Sequence, residues 1–400
     1  MKSGAQVLRP APIAFFVLTV NILAAAVYSN ENFAQIRSVK SYKNFDLLGL
    51  GLLSFVFIFS VALGTRMTVL NKIHNDISIR TFVRYEKRLF SLVVIGYLVW
   101  TILAISRGLN LQLLLDIASF QKNSVVITKN LLKGIAGVTT LTQLTPILSA
   151  ILGFLRLHGQ PWKFHFLFIT FFGVIRAVLN AERLSIFEFL VPFIVVHIFY
   201  APKIKLARIL PIVLAFPIIF SVLEYTRSWT NYYSRVFDGS FLDFSLFRLF
   251  SYYATATNNG FLLIDKIGQG PRHPFYSFNF IYEFPVFGQD IAIGNEIYDP
   301  RMGLLRFFKN YSNPEFNNPG GFTSLVLDFG WALACIYLLV IGFLVGVLWK
   351  KALGDHRAAV LYSALFLGLL ELPRYFFFGS SRFFPSLAIG LVILFRKERP

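Results

Sequence analysis

The chain has 400 residues, of which 56% are hydrophobic and only 14% charged, and its mean hydropathy is +0.63. That composition excludes an ordinary soluble domain and a disordered chain, and reads as a polytopic membrane protein. The net charge of +18 then reflects topology and anionic headgroups, because its densest run, Arg66 to Arg88, flanks two apolar segments; nucleic acid is not an expected partner.

A helix that crosses the bilayer needs roughly 20 mostly apolar residues. About ten segments approach that length, near 11–29, 46–65, 89–106, 134–154, 164–179, 184–200, 207–225, 321–348, 358–373 and 382–395. The first has Arg9 before it and Ala24-Ala25-Ala26 near its end, which is the make-up of a signal sequence; it reads as an uncleaved anchor. Between the third and fourth, Leu109 to Phe120 (LNLQLLLDIASF) predicts a short interfacial helix. Between the seventh and eighth, the chain from Tyr225 to Gly320 turns polar. Within it, Phe241 to Tyr253 (FLDFSLFRLFSYY) sets apolar residues at helical spacing around Arg248, and Phe275 to Phe287 (FYSFNFIYEFPVF) is more than half aromatic. Both pieces favour a lipid–water interface. Cys335, the single cysteine, falls in the eighth span, so no intramolecular disulfide orders the polar region and packing on the bundle must do so.

The expected fold is therefore an all-α transmembrane bundle of about ten spans in one integrated domain. Residues 1–225 carry spans one to seven, 226–320 form one large extracytoplasmic loop with interfacial helices, and 321–400 hold spans eight to ten with a short cytoplasmic tail. Lys and Arg are retained on the cytoplasmic side, chiefly in short loops. With both termini inside, half of the 38 basic residues fall on the inner segments, although the outer side exposes far more chain.

Several arginines nevertheless sit at the outer ends of spans, where a charge is costly unless paired or used. Arg176 and Arg183 flank the fifth-to-sixth turn, Arg227 follows the seventh span, and Arg374 and Arg382 bracket the ninth-to-tenth turn. One reading is structural: they snorkel, or pair with Glu182, Glu224 and Glu371. The other is functional: clustered guanidiniums at this depth suit a lipid-linked phosphate or diphosphate, which they bind bidentately without losing charge.

Three patches carry a resemblance: Arg176 to Pro192 (RAVLNAERLSIFEFLVP), Tyr252 to Gly260 (YYATATNNG) and Asn317 to Trp331 (NNPGGFTSLVLDFGW). With the layout of spans around one large outer loop, they resemble Wzy-type O-antigen polymerases, the oligosaccharide repeat unit polymerases. Two departures stand out: the start of the eighth span reads Asn318-Pro-Gly-Gly-Phe-Thr323 where the family usually has an Asn-Thr-Phe-Thr-like run, and no histidine sits in a matching motif.

The resemblance implies a membrane-embedded glycosyltransferase of GT-C-like architecture in the cell inner membrane, with its active site on the periplasmic face. It would polymerise undecaprenyl-diphosphate-linked oligosaccharide repeat units into O antigen or a related surface polysaccharide. The acceptor hydroxyl attacks the donor's reducing-end sugar and expels undecaprenyl diphosphate, and a chain-length-regulating membrane protein is a possible partner beside the lipids. Arg176, Arg183, Arg227, Arg374 and Arg382 would hold the departing diphosphate. His273, Glu283 and Asp290, with Glu296 and Asp299, are the loop's candidates for the base. Asn317, Asn318, Tyr252 and Tyr253 would face the glycan, and Asp328 would make hydrogen bonds at the bundle mouth. No DxD pair, H-E-x-x-H, P-loop or cysteine-rich site is present, so the expected enzyme is metal-independent with no cofactor. Two alternatives stay open: an O-antigen ligase using the same donor, and a non-enzymatic flippase, which would place polar residues inside several spans.

Overall fold

The structure is a computed structural model that describes residues 3–28, 47–67, 79–119, 121, 124–132, 134, 137–180, 182–202, 217–230, 232–268, 270, 273–284, 286, 288, 291, 303–312 and 318–396. Among the described residues all regular structure is helical, with no strand. Five stretches among the described residues are long and apolar enough to cross a membrane: Gly4–Ala26, Leu47–Arg66, Ile79–Ser106, Thr139–Leu157 and Gly321–Ala352. The chain is a helical membrane protein.

The main helices are α1 (Pro10–Tyr28), α2 (Leu47–Arg66), α3 (Ile79–Ser106), the short α4 (Leu111–Ala118), α5 (Thr145–Leu157), α6 (Lys163–Leu179), α7 (Leu184–Tyr200), α8 (Phe241–Ile267), α9 (Gly321–Ala352), α10 (His356–Glu371) and α11 (Phe384–Phe395). Their ends follow local rules. Pro10 starts α1, where its missing N–H costs nothing. Asn110 caps α4 through Leu113 N–H, and Asp355 caps α10 through Arg357 N–H. The expected seventh span lies mostly in 203–216, outside the described residues; 217–224 is helical and runs into a π-turn at Tyr225–Trp229.

Two apolar cores meet along α7 and α10. One joins α1, α2, α8 and α9 to these helices, and the other joins α3, α5, α6 and α11. The helices α2 and α9 run parallel in close backbone contact. A Cβ at Gly342 would stand 2.9 Å from the Phe57 carbonyl, and one at Gly64 or Gly346 would overlap the facing backbone. Small residues on both helices let the backbones approach, the usual basis of helix association in lipid.

Two findings differ from expectation. The loop segment Phe241–Tyr253 is only the first half of α8, a 27-residue helix. Ser240 and Asp243 form a reciprocal capping box at its start, and Gly268 ends it at φ 88°. Its first half exposes Leu242, Leu246 and Phe250 one turn apart, while Ala254–Leu263 is wholly buried. The polar run TATNNG therefore enters the bundle instead of lying in a loop, and Gly260 permits it: a Cβ there would overlap Thr323 and the Pro319 carbonyl. The second finding is a break in α9 at Gly330, whose φ of 75° and ψ of 172° lie outside the helical region. A buried half-helix, Gly321 to Phe329, thus precedes the long span.

Candidate functional site

The end of the bundle formed by the α6–α7 turn, the α10–α11 turn, residues 217–230 and α8 gathers five arginines and four glutamates. Arg176, at the end of α6, donates from Nε to Glu182 at 3.1 Å and from NH1 to Thr142 at 3.4 Å, and NH1 lies 3.9 Å from Glu188. Arg382 grips Glu188 with two nitrogens, NH2 at 3.0 Å and Nε closer, and also meets Glu182. Gln143, with its amide turned to satisfy both neighbours, accepts from Arg176 NH2 at 3.1 Å and donates to the Arg382 carbonyl at 3.2 Å.

A second group lies beside it. Glu224, fully buried, accepts from Arg183 on one oxygen and from Arg248 Nε at 3.0 Å on the other. Arg248 also donates to the Tyr233 hydroxyl at 3.4 Å. The Arg183 guanidinium covers the Phe220 ring at 4.0 Å and the Tyr252 ring at 4.8 Å, and Arg374 lies 4.7 Å from that same Tyr252 ring. Arg374 in turn pairs with Glu371 at 3.1 Å. Burial opposes its charge, but Glu371 and the hydroxyls of Tyr252, Tyr253 and Tyr375 outweigh that and raise its pKa. The Tyr375 phenol is pushed up to about 12, first by burial and then by the nearby Glu283 carboxylate.

Exposure sorts the arginines. The side chains of Arg176, Arg374 and Arg382 are 12%, 17% and 19% exposed, whereas Arg183 and Arg248 are at 9% and 2%. The first three, the more exposed, form a front rank, and the other two are more deeply buried. Arg176, Arg183, Arg248, Arg374 and Arg382 against Glu182, Glu188, Glu224 and Glu371 leave one positive charge in excess. Most of the guanidinium charge is thus internally matched by carboxylates.

The sequence singled out Arg176, Arg183, Arg374 and Arg382, and the structure brings all four together. Arg227 lies in the π-turn, and its side chain is outside the described set. Arg248 and Glu188 were not foreseen as members; charges in otherwise apolar helices were the available signal. The three patches of the resemblance also converge, since Arg183 covers Tyr252 of α8 and α8 packs on the half-helix of α9.

The other candidates are dispersed. His273 and Glu283 are exposed, and no hydrogen bond or ion pair among the described residues joins them to the arginines; the Glu283 carboxylate acts electrostatically on Tyr375, the neighbour of Arg374. Asp290 and Asn317, like Glu296 and Asp299, lie outside the described residues. The half-buried Asn318 gives its carbonyl to Asn259 Nδ2 at 3.4 Å. Tyr252 is occupied between two guanidiniums, and the half-buried Tyr253 has its pKa raised by burial and by Glu371. Asp328 has a holding role: one oxygen accepts from Ser277 N at 2.7 Å and Ser277 Oγ at 2.6 Å, the other from Tyr276 N at 3.3 Å. It ties the aromatic turn at 275–282 to the break in α9.

Several buried polar atoms along the second half of α8 have no hydrogen-bond partner: Thr255 Oγ1, both amide atoms of Asn258, Asn21 Oδ1 on the facing α1, and Arg374 Nε. Such groups are costly to leave unmet. Among the described residues no three His, Cys, Asp or Glu side chains converge as a metal site requires. Comparison with known proteins gives no match to any family model, to any curated protein or to any solved structure.

Proposed function

We propose that this protein is a membrane glycosyltransferase that joins lipid-diphosphate-linked oligosaccharide repeat units into a surface polysaccharide, at the end of the bundle that carries the large loop. The observation that carries the reading is the network of five buried or half-buried arginines at that end. Guanidiniums held in place before reaction stabilise charge that develops on a departing diphosphate, with no cost of reorganisation. The matched carboxylates fit this role, because they keep the arginines ordered when substrate is absent and are exchanged for phosphate oxygens when it binds. The front rank of Arg176, Arg374 and Arg382 contacts the diphosphate, and Arg183 and Arg248 position it from behind. Among the described base candidates, Glu283 is the one whose carboxylate acts on Tyr375, next to Arg374.

The test is a surface-polysaccharide gel from a deletion strain complemented with wild-type or variant protein. The reading expects deletion to leave a single capped repeat. It expects Arg176→Ala and Arg382→Ala to insert normally yet lose polymer, since removal of one such donor costs roughly 100- to 1000-fold. Normal polymer from both variants would sink the proposal. Complete loss of surface glycan with lipid-linked material accumulating would move the assignment to a ligase or flippase.

A further inference from the structure

The other end of the bundle, where the start of α3 meets the start of α6, carries a second concentration of charge, and this one is exposed. Arg80, Arg84, Lys87 and Arg88 all lie in the first ten residues of α3 with their side chains open. At about 3.6 residues per turn they fall within about 100° of the helix surface. The same stripe continues as Ile95, Leu98, Ile102 and Ile105, which are exposed in register with the cations. Glu86, the only acid in Ile79–Ser106, points away from the stripe. It is 2% exposed and pairs with His165 Nδ1 of α6, on which the Phe90 ring stacks at 3.8 Å. The one charge of α3 that could neutralise the stripe is thus taken inside.

Length fixes the depth of these cations. A helix of 28 residues rises roughly 42 Å, against a hydrocarbon layer of roughly 30 Å, which leaves roughly eight residues over. Exposed apolar side chains follow one another from Leu92 onward, so the excess lies at the start of α3, at the level of the headgroups. Neighbouring segments widen the band. On one side the exposed Lys163 opens α6, followed by Phe164, which is 72% exposed and meets the Phe90 ring at 6.3 Å. On the other side the exposed Arg396, just past α11, lies 5.7 Å from the Tyr85 ring. Cations from α3, α6 and the end of α11 thus stand directly above apolar surface.

We infer that this face binds anionic phospholipid, with headgroup phosphates among Arg84, Arg88, Lys163 and Arg396 and acyl chains running down the stripe from Leu92 to Ile105. Charge complementarity selects the occupant: each Lys or Arg near the surface strengthens the attraction to an anionic lipid roughly fivefold, and a zwitterionic headgroup offers no net charge to attract. The cations lie on an open face, so the headgroup needs no cavity and displaces no internal ion pair. This surface stands apart from the reaction proposed at the other end of the bundle and does not depend on it.

The test is native mass spectrometry of the full-length protein in detergent, with phosphatidylglycerol and phosphatidylcholine of matched acyl chains as competing probes. Wild type is expected to retain phosphatidylglycerol in preference. Arg84→Gln combined with Arg88→Gln removes two exposed charges, so affinity for phosphatidylglycerol should fall roughly 25-fold with no fall in melting temperature. Arg235→Gln combined with Arg306→Gln removes two exposed charges from the large polar region and should leave the preference intact. Equal retention of the two lipids by wild type, an unchanged preference in the Arg84 and Arg88 variant, or an equal loss in the Arg235 and Arg306 variant would overturn the inference. So would displacement of the lipid by inorganic phosphate at equal concentration, or a sharp loss of stability in the Arg84 and Arg88 variant, which would make the two arginines structural. None of these results bears on the polysaccharide gel, which judges the proposed reaction separately.

Discussion

Glu224→Gln is the substitution whose cost the structure fixes most directly. Glu224 is completely buried and is shared by Arg183 and Arg248, whose side chains are only 9% and 2% exposed. Glutamine keeps the shape and removes the charge, leaving two guanidiniums in an apolar setting against a neutral amide. Removal of one partner from a buried ion pair costs about 3–5 kcal/mol, which at 1.4 kcal/mol per decade is on the order of 100- to 3000-fold in the folding equilibrium. Glu182 provides the comparison. It also meets two arginines, Arg176 and Arg382, but its side chain is 26% exposed, so solvent screens the pair and Glu182→Gln should cost about 1 kcal/mol or less. The assay is thermal stability of the detergent-solubilised protein by fluorescence-detected size exclusion, with a denaturant titration for the free energy. Glu224→Gln should melt several degrees below Glu182→Gln. Adding Arg248→Met to Glu224→Gln should recover part of the loss, because an apolar side chain of similar reach needs no counter-charge. Equal costs for the two glutamates, within about 1 kcal/mol, would refute the claim that burial sets the strength of these pairs.

Asp328→Ala strips the Ser277 N–H and hydroxyl of their acceptor, each worth about 1–3 kcal/mol when left buried and unmet; amide exchange over 275–282 should speed up, and unchanged exchange would contradict the anchoring role. Gly346→Leu forces a side chain into the α2 backbone and should cost about 1–3 kcal/mol or more, read as a fall in melting temperature that Gly51→Leu, at an open position, does not show. The hydroxyl and N–H of Ser240 depress the Asp243 pKa. Its contribution to the start of α8 is therefore fully present above the ordinary aspartate value of about 3.9 and lost as pH falls through the lower folded value. The stability difference between wild type and Asp243→Asn should be visible at pH 6 and vanish near pH 2, and a difference independent of pH would rule the cap out as its source.

The pairings of Arg176 with Glu182, Arg183 with Glu224 and Arg374 with Glu371 were legible as possibilities, because the partners are few in so apolar a chain and sit at similar helix ends. Arg382 with Glu188 was not, since 194 residues separate them and only the packing of α7 against the α10–α11 turn makes them neighbours. The loop gave an amphipathic pattern over Phe241–Tyr253 but no sign that the helix continues, because TATNNG is polar and polar residues argue for solvent until a buried partner surface is known. The break at Gly330 was equally hidden: apolar periodicity runs through it, and one glycine in a span is tolerated in most helices.

What the sequence determined by itself is the solvent of this protein and its local elements. Hydropathy over some twenty residues, proline at helix starts and polar caps are properties of short stretches, so they act before any tertiary contact forms. What only the tertiary structure decided is which charges neutralise one another, which polar groups stay unmet, and that a buried half-helix from Gly321 packs beside α8. Each of these depends on residues from α1, α7, α8, α9 and the α10–α11 turn arriving at one end of the bundle, and that convergence is set by the close packing of α2 on α9 and by the burial of α7 and α10 in both cores.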